Sequence, residues 1–209
     1  MIYKGIQIRV VDNLYVKTKG LDSYIDKDIR VTINKNQSED YVAVMKYLID
    51  YIVDHKAIIS ENQNIGYYFW LLQFRMDVDN YYDVYEVNFD GSDLNRGCDT
   101  AISVVREQSE ICWQHDLVPL FPNFNQAIVI SDGVYERKDI EGIRYDSPNN
   151  ESGWYLITDD YNDDIKTLKV VHFYHVAFAR PDILKYLALP FGYRFLMKEN
   201  NIVISKDQD

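Results

Sequence analysis

Residues 38–55 read Ser38-Glu39-Asp40-Tyr41-Val42-Ala43-Val44-Met45-Lys46-Tyr47-Leu48-Ile49-Asp50-Tyr51-Ile52-Val53-Asp54-His55. Tyr41, Met45, Leu48 and Ile52 form one apolar row at helical spacing, widened by Val42, Ile49 and Val53. Ser38 offers an N-cap, and Glu39 and Asp40 place negative charge where the helix dipole favours it. The pattern predicts an amphipathic helix ending near His55, with Lys46, Asp50 and Asp54 facing water.

Working outward, the segments on either side alternate with the period of strands. Upstream, Ile2, Ile6, Ile8 and Val10 mark an opening edge or meander strand, and Ile29–Ile33 a second. Downstream, Tyr67–Met76 and Tyr82–Phe89 read as two strands joined by a hairpin turn at residues 78–80. In the second of them Val84, Glu86 and Asn88 share one side. A further helix fits Asp99–His115, with Ile102, Val105, Ile111 and Cys112 near one face. Pro119 and Pro122 interrupt Leu117–Asn125, which therefore marks a boundary between a lobe over 1–117 and a domain over 126–209.

Beyond the boundary, Ala127–Ile130, Gly142–Tyr145 and Trp154–Thr158 read as strands, with turns at Asp132-Gly133 and Asp159–Asp164. The β-branched and aromatic run Leu168–Phe178 predicts a long buried strand. Pro181 suits the first position of a short helix that must end before Pro190. Tyr193–Met197 and Ile202–Ile204 flank a terminal hairpin. The expected fold is α+β, with mixed or antiparallel sheets, two main amphipathic helices and a short C-terminal helix.

Composition narrows the function. The 209 residues are 47% hydrophobic and 26% charged, enough apolar content for a core. Net charge is −11, distributed as −7 over residues 1–125 and −4 over 126–209. A surface of that sign repels nucleic acid and anionic membranes and attracts a basic partner. The two cysteines, Cys98 and Cys112, are too few for a disulfide framework, and both fall in or beside a helix and point to different turns. The opening segment has no signal-peptide pattern, and no apolar run approaches the ~20 residues that span a bilayer. A cytoplasmic protein is expected.

Catalytic motifs fail when tested residue by residue. His172 and His175 have the H-x-x-H spacing. On a strand, though, they point to opposite faces, one buried and one exposed, and no third ligand stands at a recognised distance. Asp159, Asp160, Asp163 and Asp164 resemble a calcium loop, but the glycine and glutamate positions hold Asp164 and Val170. Cys112 and His115 share a helix turn without any sign of thiol activation. Nothing in the chain calls for a metal or cofactor. The 18 tyrosines fit sheets first and interfaces second. Two function classes survive: a protein-binding module, and a metal-dependent or hydrolytic enzyme built on the histidines and aspartates.

Several blocks carry a resemblance. They are Ile130-Ser131-Asp132-Gly133, Gly142-Ile143-Arg144-Tyr145, Ser147-Pro148, Ser152-Gly153-Trp154 with the acidic segment after it, and Leu187–Phe195. Together they resemble the immunity protein 33 family, which is associated with bacterial polymorphic and secreted toxin systems. The likeness covers about residues 126–197, and Trp113–Pro122 reads as part of an extension. Glu151 and Thr158 depart from the family pattern. The resemblance implies a non-enzymatic protein that binds and neutralises a cognate toxin by direct contact. It implies a structural role for Trp154 as a strand anchor and for Arg144 in a pair with Asp159 or Asp160. The candidate partner-binding residues are Asp159, Asp160, Tyr161, Asp163, Asp164, Arg144 and Trp154.

Overall fold

The opening alternation folds back on itself. The computed structural model describes residues 1–76, 79–136, 139–199 and 201–207. Strands β1 (Ile2–Tyr3), β2 (Ile6–Val11), β3 (Tyr15–Lys19) and β4 (Ile29–Thr32) form an antiparallel meander. Ile6, Ile8 and Val16 point into the core. β3 has no counterpart in the sequence pattern, because its second inward position is Thr18. That hydroxyl is satisfied by donating to Asp28 at 2.8 Å and accepting from Ile29 N–H at 2.8 Å. A short helix, α1 (Asp22–Ile25), closes the turn that follows.

The amphipathic segment is helical from Ser38 to His55 (α2), and it buries Tyr41, Val44, Met45, Leu48, Ile49 and Ile52. Its start corrects the expected cap. Ser38 is already helical, and extended Gln37 is the N-cap, its N–H donating to the Asp40 carboxylate at 3.2 Å. The outer face is also partly claimed. Asp50 accepts from the Tyr3 hydroxyl at 2.9 Å, and Lys4 pairs with Asp50 and Asp54.

The aromatic stretch 67–76 is not one strand. It holds the end of β5 (Asn64–Tyr67) and all of β6 (Trp70–Met76), joined by a tight turn with Tyr68 at φ 47. An unbroken apolar run hides such a turn, since Tyr68 and Phe69 carry no turn signature. β6 pairs antiparallel with β7 (Tyr82–Val87), so the expected hairpin is present, although residue 78 of its turn lies outside the described residues. β8 (Leu94–Arg96) and β4 share the other edge of β7, β4 running parallel to it. The strand order is β1-β2-β3-β4-β7-β6-β5, with β8 beside β7. β7 is therefore central and buried on both faces, Asp83 and Glu86 included. Glu86 shares the buried side of β7 with Val84. Its carboxylate accepts from Thr100 N–H and Ala101 N–H, at 2.9 and 2.8 Å, at the start of α3 (Asp99–Gln114).

The chain divides into two compact units, Met1–Ser103 and Val104–Asp209. The second is built on a six-stranded sheet. Its strands are β9 (Ala127–Ile130), β10 (Ile140–Arg144), β11 (Glu151–Ile157), β12 (Lys169–His172), β13 (Tyr193–Lys198) and β14 (Asn201–Lys206). They lie in the order β12-β9-β11-β10-β13-β14, with only the β9–β11 pair parallel. At Gly142 any Cβ would sit 2.3 Å from the Phe195 ring, so this strand crossing requires glycine. The C-terminal half of α3 packs here: the Gln108 amide donates to Leu184 O at 2.9 Å and the Cys112 thiol to Ala188 O at 3.3 Å.

The expected strand over 168–178 stops at His172. Phe173–Ala179 is a helix, α4, with Phe173, Val176 and Ala177 buried at helical spacing. β-branched and aromatic content alone could not reveal this change of period. After it, Pro181–Tyr186 forms a short 3-10 helix with proline in its first turn. Mixed sheets with interleaved helices meet the α+β expectation.

Candidate functional site

Trp154 and Arg144 sit in the core of the second unit. Trp154, on β11, is fully buried; its indole N–H donates to Leu187 O at 2.9 Å and its ring lies 5.5 Å from that of Phe195. Arg144, at the end of β10, is 2% exposed. Its Nε donates to Ser152 O at 2.9 Å, and its Nη1 to Leu120 O and Leu189 O, both at 2.6 Å. The guanidinium also lies against Phe191 and Trp154. Burial lowers its pKa to about 10. The expected pair with Asp159 or Asp160 is therefore corrected. A planar, many-donor group has been placed where three carbonyls from separate segments converge, which a carboxylate partner would not satisfy. Both side chains are buried and bonded within this unit.

The acidic turn has the opposite placement. Asp159, Asp160, Asp163 and Asp164 are exposed and Tyr161 is half-buried. The turn continues from β11 and is anchored beneath: Thr158 Oγ1 donates to Asp132 O at 2.7 Å, and Thr158 N–H to the Ser131 hydroxyl at 3.0 Å. Tyr161 N–H closes back on Thr158 O at 3.0 Å. Asp164 caps the 3-10 helix Ile165–Thr167, accepting from Lys166 N–H at 3.0 Å. Asp159 lies 3.5 Å from Lys198 on β13. A backbone fixed at both ends thus carries four carboxylates into solvent.

Both histidines are exposed, which corrects the expectation of one buried and one exposed. The junction of β12 with α4 turns them toward a shared neighbour. The Tyr174 ring stacks on His172 at 5.5 Å and lies 4.2 Å from His175, while the imidazole centres are 6.4 Å apart. Among the described residues no group of three or more His, Cys, Asp or Glu side chains could hold a metal ion.

The two thiols are free and buried. Burial pushes Cys112 up to about 11 and raises Cys98 as well, the latter helped by Glu86 and Asp99. The nucleophilic form is the thiolate, so neither thiol is primed at neutral pH. The sequence pattern missed another buried cation, Arg180, whose guanidinium donates to Val134 O at 2.9 Å and pairs with Asp182. The Arg-Pro-Asp spacing was the available signal.

Residues 107–207 match the family model of the Imm33-like domain. The second unit is an Imm33-like domain. It spans the C-terminal half of α3, the six-stranded sheet and the Trp154–Arg144 core, so the resemblance carried by residues 130–133, 142–145, 152–154 and 187–195 is borne out. The matched stretch also takes in Trp113–Pro122, which lies inside the Imm33-like domain and not in an extension before it. No curated protein and no solved structure is significantly similar to the chain. Among the described residues no helix is long and apolar enough to cross a membrane.

Proposed function

We propose that this chain is an immunity protein that binds a cognate bacterial toxin and neutralises it by direct contact. The observation that carries this reading is the Imm33-like domain over residues 107–207. Two physical features support it. The thiols are buried in protonated form, and the exposed chemistry is acidic, concentrated on the anchored turn 159–164 and backed by a net charge of −11. Such a surface suits recognition of a basic protein in the cytoplasm of the producing cell. Binding, and no chemical step, is the activity. The partner-binding residues on this reading are the exposed Asp159, Asp160, Asp163 and Asp164 with the half-buried Tyr161.

Co-expression with the product of the neighbouring gene, taken as the candidate toxin, tests the proposal. Growth should be restored and the two proteins should co-purify. A growth defect that persists with no co-purified complex defeats it.

A further inference from the structure

In the second unit Trp154 and Arg144 reach from one face of the sheet to the carbonyls of Leu120, Leu187 and Leu189. Register fixes what lies on the other. One row crosses all six strands: Val170, Val129, Tyr155, Ile143, Arg194 and Ser205. A second row, one pleat along, holds Ile157, Glu141, Leu196 and Val203. Antiparallel sheets with one solvated face normally turn polar residues outward. Here the outward rows are mainly aliphatic and aromatic, with Val170 71% and Val203 58% exposed and a Tyr145–Tyr155 ring pair at 5.4 Å.

In the ion pairs on this face three carboxylates meet two cations. Arg194 is paired with Glu141 and Asp207, and Lys198 with Asp159. A hollow of about 130 Å³ at one end is bordered by Val129, Tyr155, Val170 and the exposed Glu151. A smaller one, about 60 Å³, is bordered at the other end by Ile157, Leu196 and Asp159, where the acidic turn begins.

We infer that this open sheet face is the docking surface for the toxin, and that the toxin meets it with an apolar patch bordered by basic residues. The inference rests on the toxin-binding reading above. Charge selects the occupant: a second copy, also at −11, would bring acid against acid, whereas a basic protein is drawn in. Size agrees once the rim is included. Six strands ~4.8 Å apart and ~13–23 Å long give a footprint on the order of 400 Å², about half of what one partner contributes to a standard interface. The acidic turn and neighbouring loops supply the rest.

Val170→Arg and Val203→Arg test the face at exposed positions that the fold does not depend on. The probe is the purified product of the neighbouring gene, the candidate toxin, and circular dichroism checks folding. Each variant should weaken the Kd about tenfold or more. Val118→Arg, on a residue 82% exposed in the segment bonded to the opposite face, should leave it within about twofold. Hydroxyl-radical footprinting of the wild-type complex should show Tyr145 and Tyr155 losing reactivity. Failure of the wild-type protein to bind overturns the toxin reading and this inference with it. Tight binding by both variants, with Tyr145 and Tyr155 still reactive, overturns the face alone. So does a toxin-free dimer that Val170→Arg dissociates.

Discussion

The indole N–H of Trp154 donates to the carbonyl of Leu187 at 2.9 Å, bridging 33 residues of sequence inside a core where both side chains are buried. The bond ties the sheet to the end of the 3-10 helix that covers it. Trp154→Ala should destabilise the second unit by roughly 3–5 kcal/mol, the usual result of emptying a large aromatic site. Trp154→Phe keeps most of the volume but leaves the Leu187 carbonyl unpaired, so about 1–3 kcal/mol is expected. Urea denaturation measures both. An unchanged midpoint in Trp154→Ala would show that the side chain is not a fold anchor.

Arg144 should tolerate even conservative change poorly. A lysine ammonium cannot reproduce a fork that serves Ser152, Leu120 and Leu189 at once. Arg144→Lys and Arg144→Met are both expected to cost about 2–5 kcal/mol, because buried carbonyls lose their donors. The readout is the thermal midpoint. A midpoint for Arg144→Lys equal to that of the parent would contradict the geometry.

Alkaline pH should weaken the fold through Cys112. Its folded-state pKa is raised from 9.0 to about 11 by burial. The folded state therefore holds the proton more tightly than the unfolded chain. Below about pH 9 both states are protonated and this contribution is fully present; as pH rises from 9 through 11 it is lost. A decline of about 1–3 kcal/mol is expected over that window. Cys112→Ala should show a shallower decline, and the difference between the two curves isolates the thiol from other groups titrating there. In the native protein under reducing conditions, neither Cys98 nor Cys112 should react quickly with a thiol reagent at pH 7, and both should react once unfolded.

The acidic turn should act on the rate of encounter. Replacing Asp159, Asp160, Asp163 and Asp164 with asparagine should slow toxin association by about tenfold at low salt and flatten its salt dependence, with a smaller change in dissociation. The fold should survive, since all four carboxylates are exposed and asparagine can still cap at 164. Surface plasmon resonance at two ionic strengths reads both rates. A steep rise in dissociation with unchanged association would place the turn inside the contact and not on its rim.

Much of the fold was legible locally. The helix over 38–55 is written in its apolar row, the 131–134 and 159–164 turns in their residues, and the short helix after residue 180 in its proline. Each depends on neighbours within a few residues. Errors arose where local signals were neutral or divided. Tyr68 turns the chain within an aromatic run, Phe173 switches a β-branched segment into a helix, and Gln37 caps a helix whose serine neighbour looked better suited.

By itself the sequence determined the α+β class, the acidic surface and the likeness carried by residues 130–195, because composition, periodicity and motif order are properties of the chain. Only the tertiary structure decided that Arg144 bonds three carbonyls and no aspartate, that both histidines are exposed, and that Val170, Val129, Tyr155 and Ile143 form one row on an uncovered face. Those facts depend on segments up to 45 residues apart in the chain, such as Arg144 and Leu189, arriving at the same place. Strand order and register fix that arrival, and a period-2 pattern shows that a strand has two faces without showing which one the helices will cover.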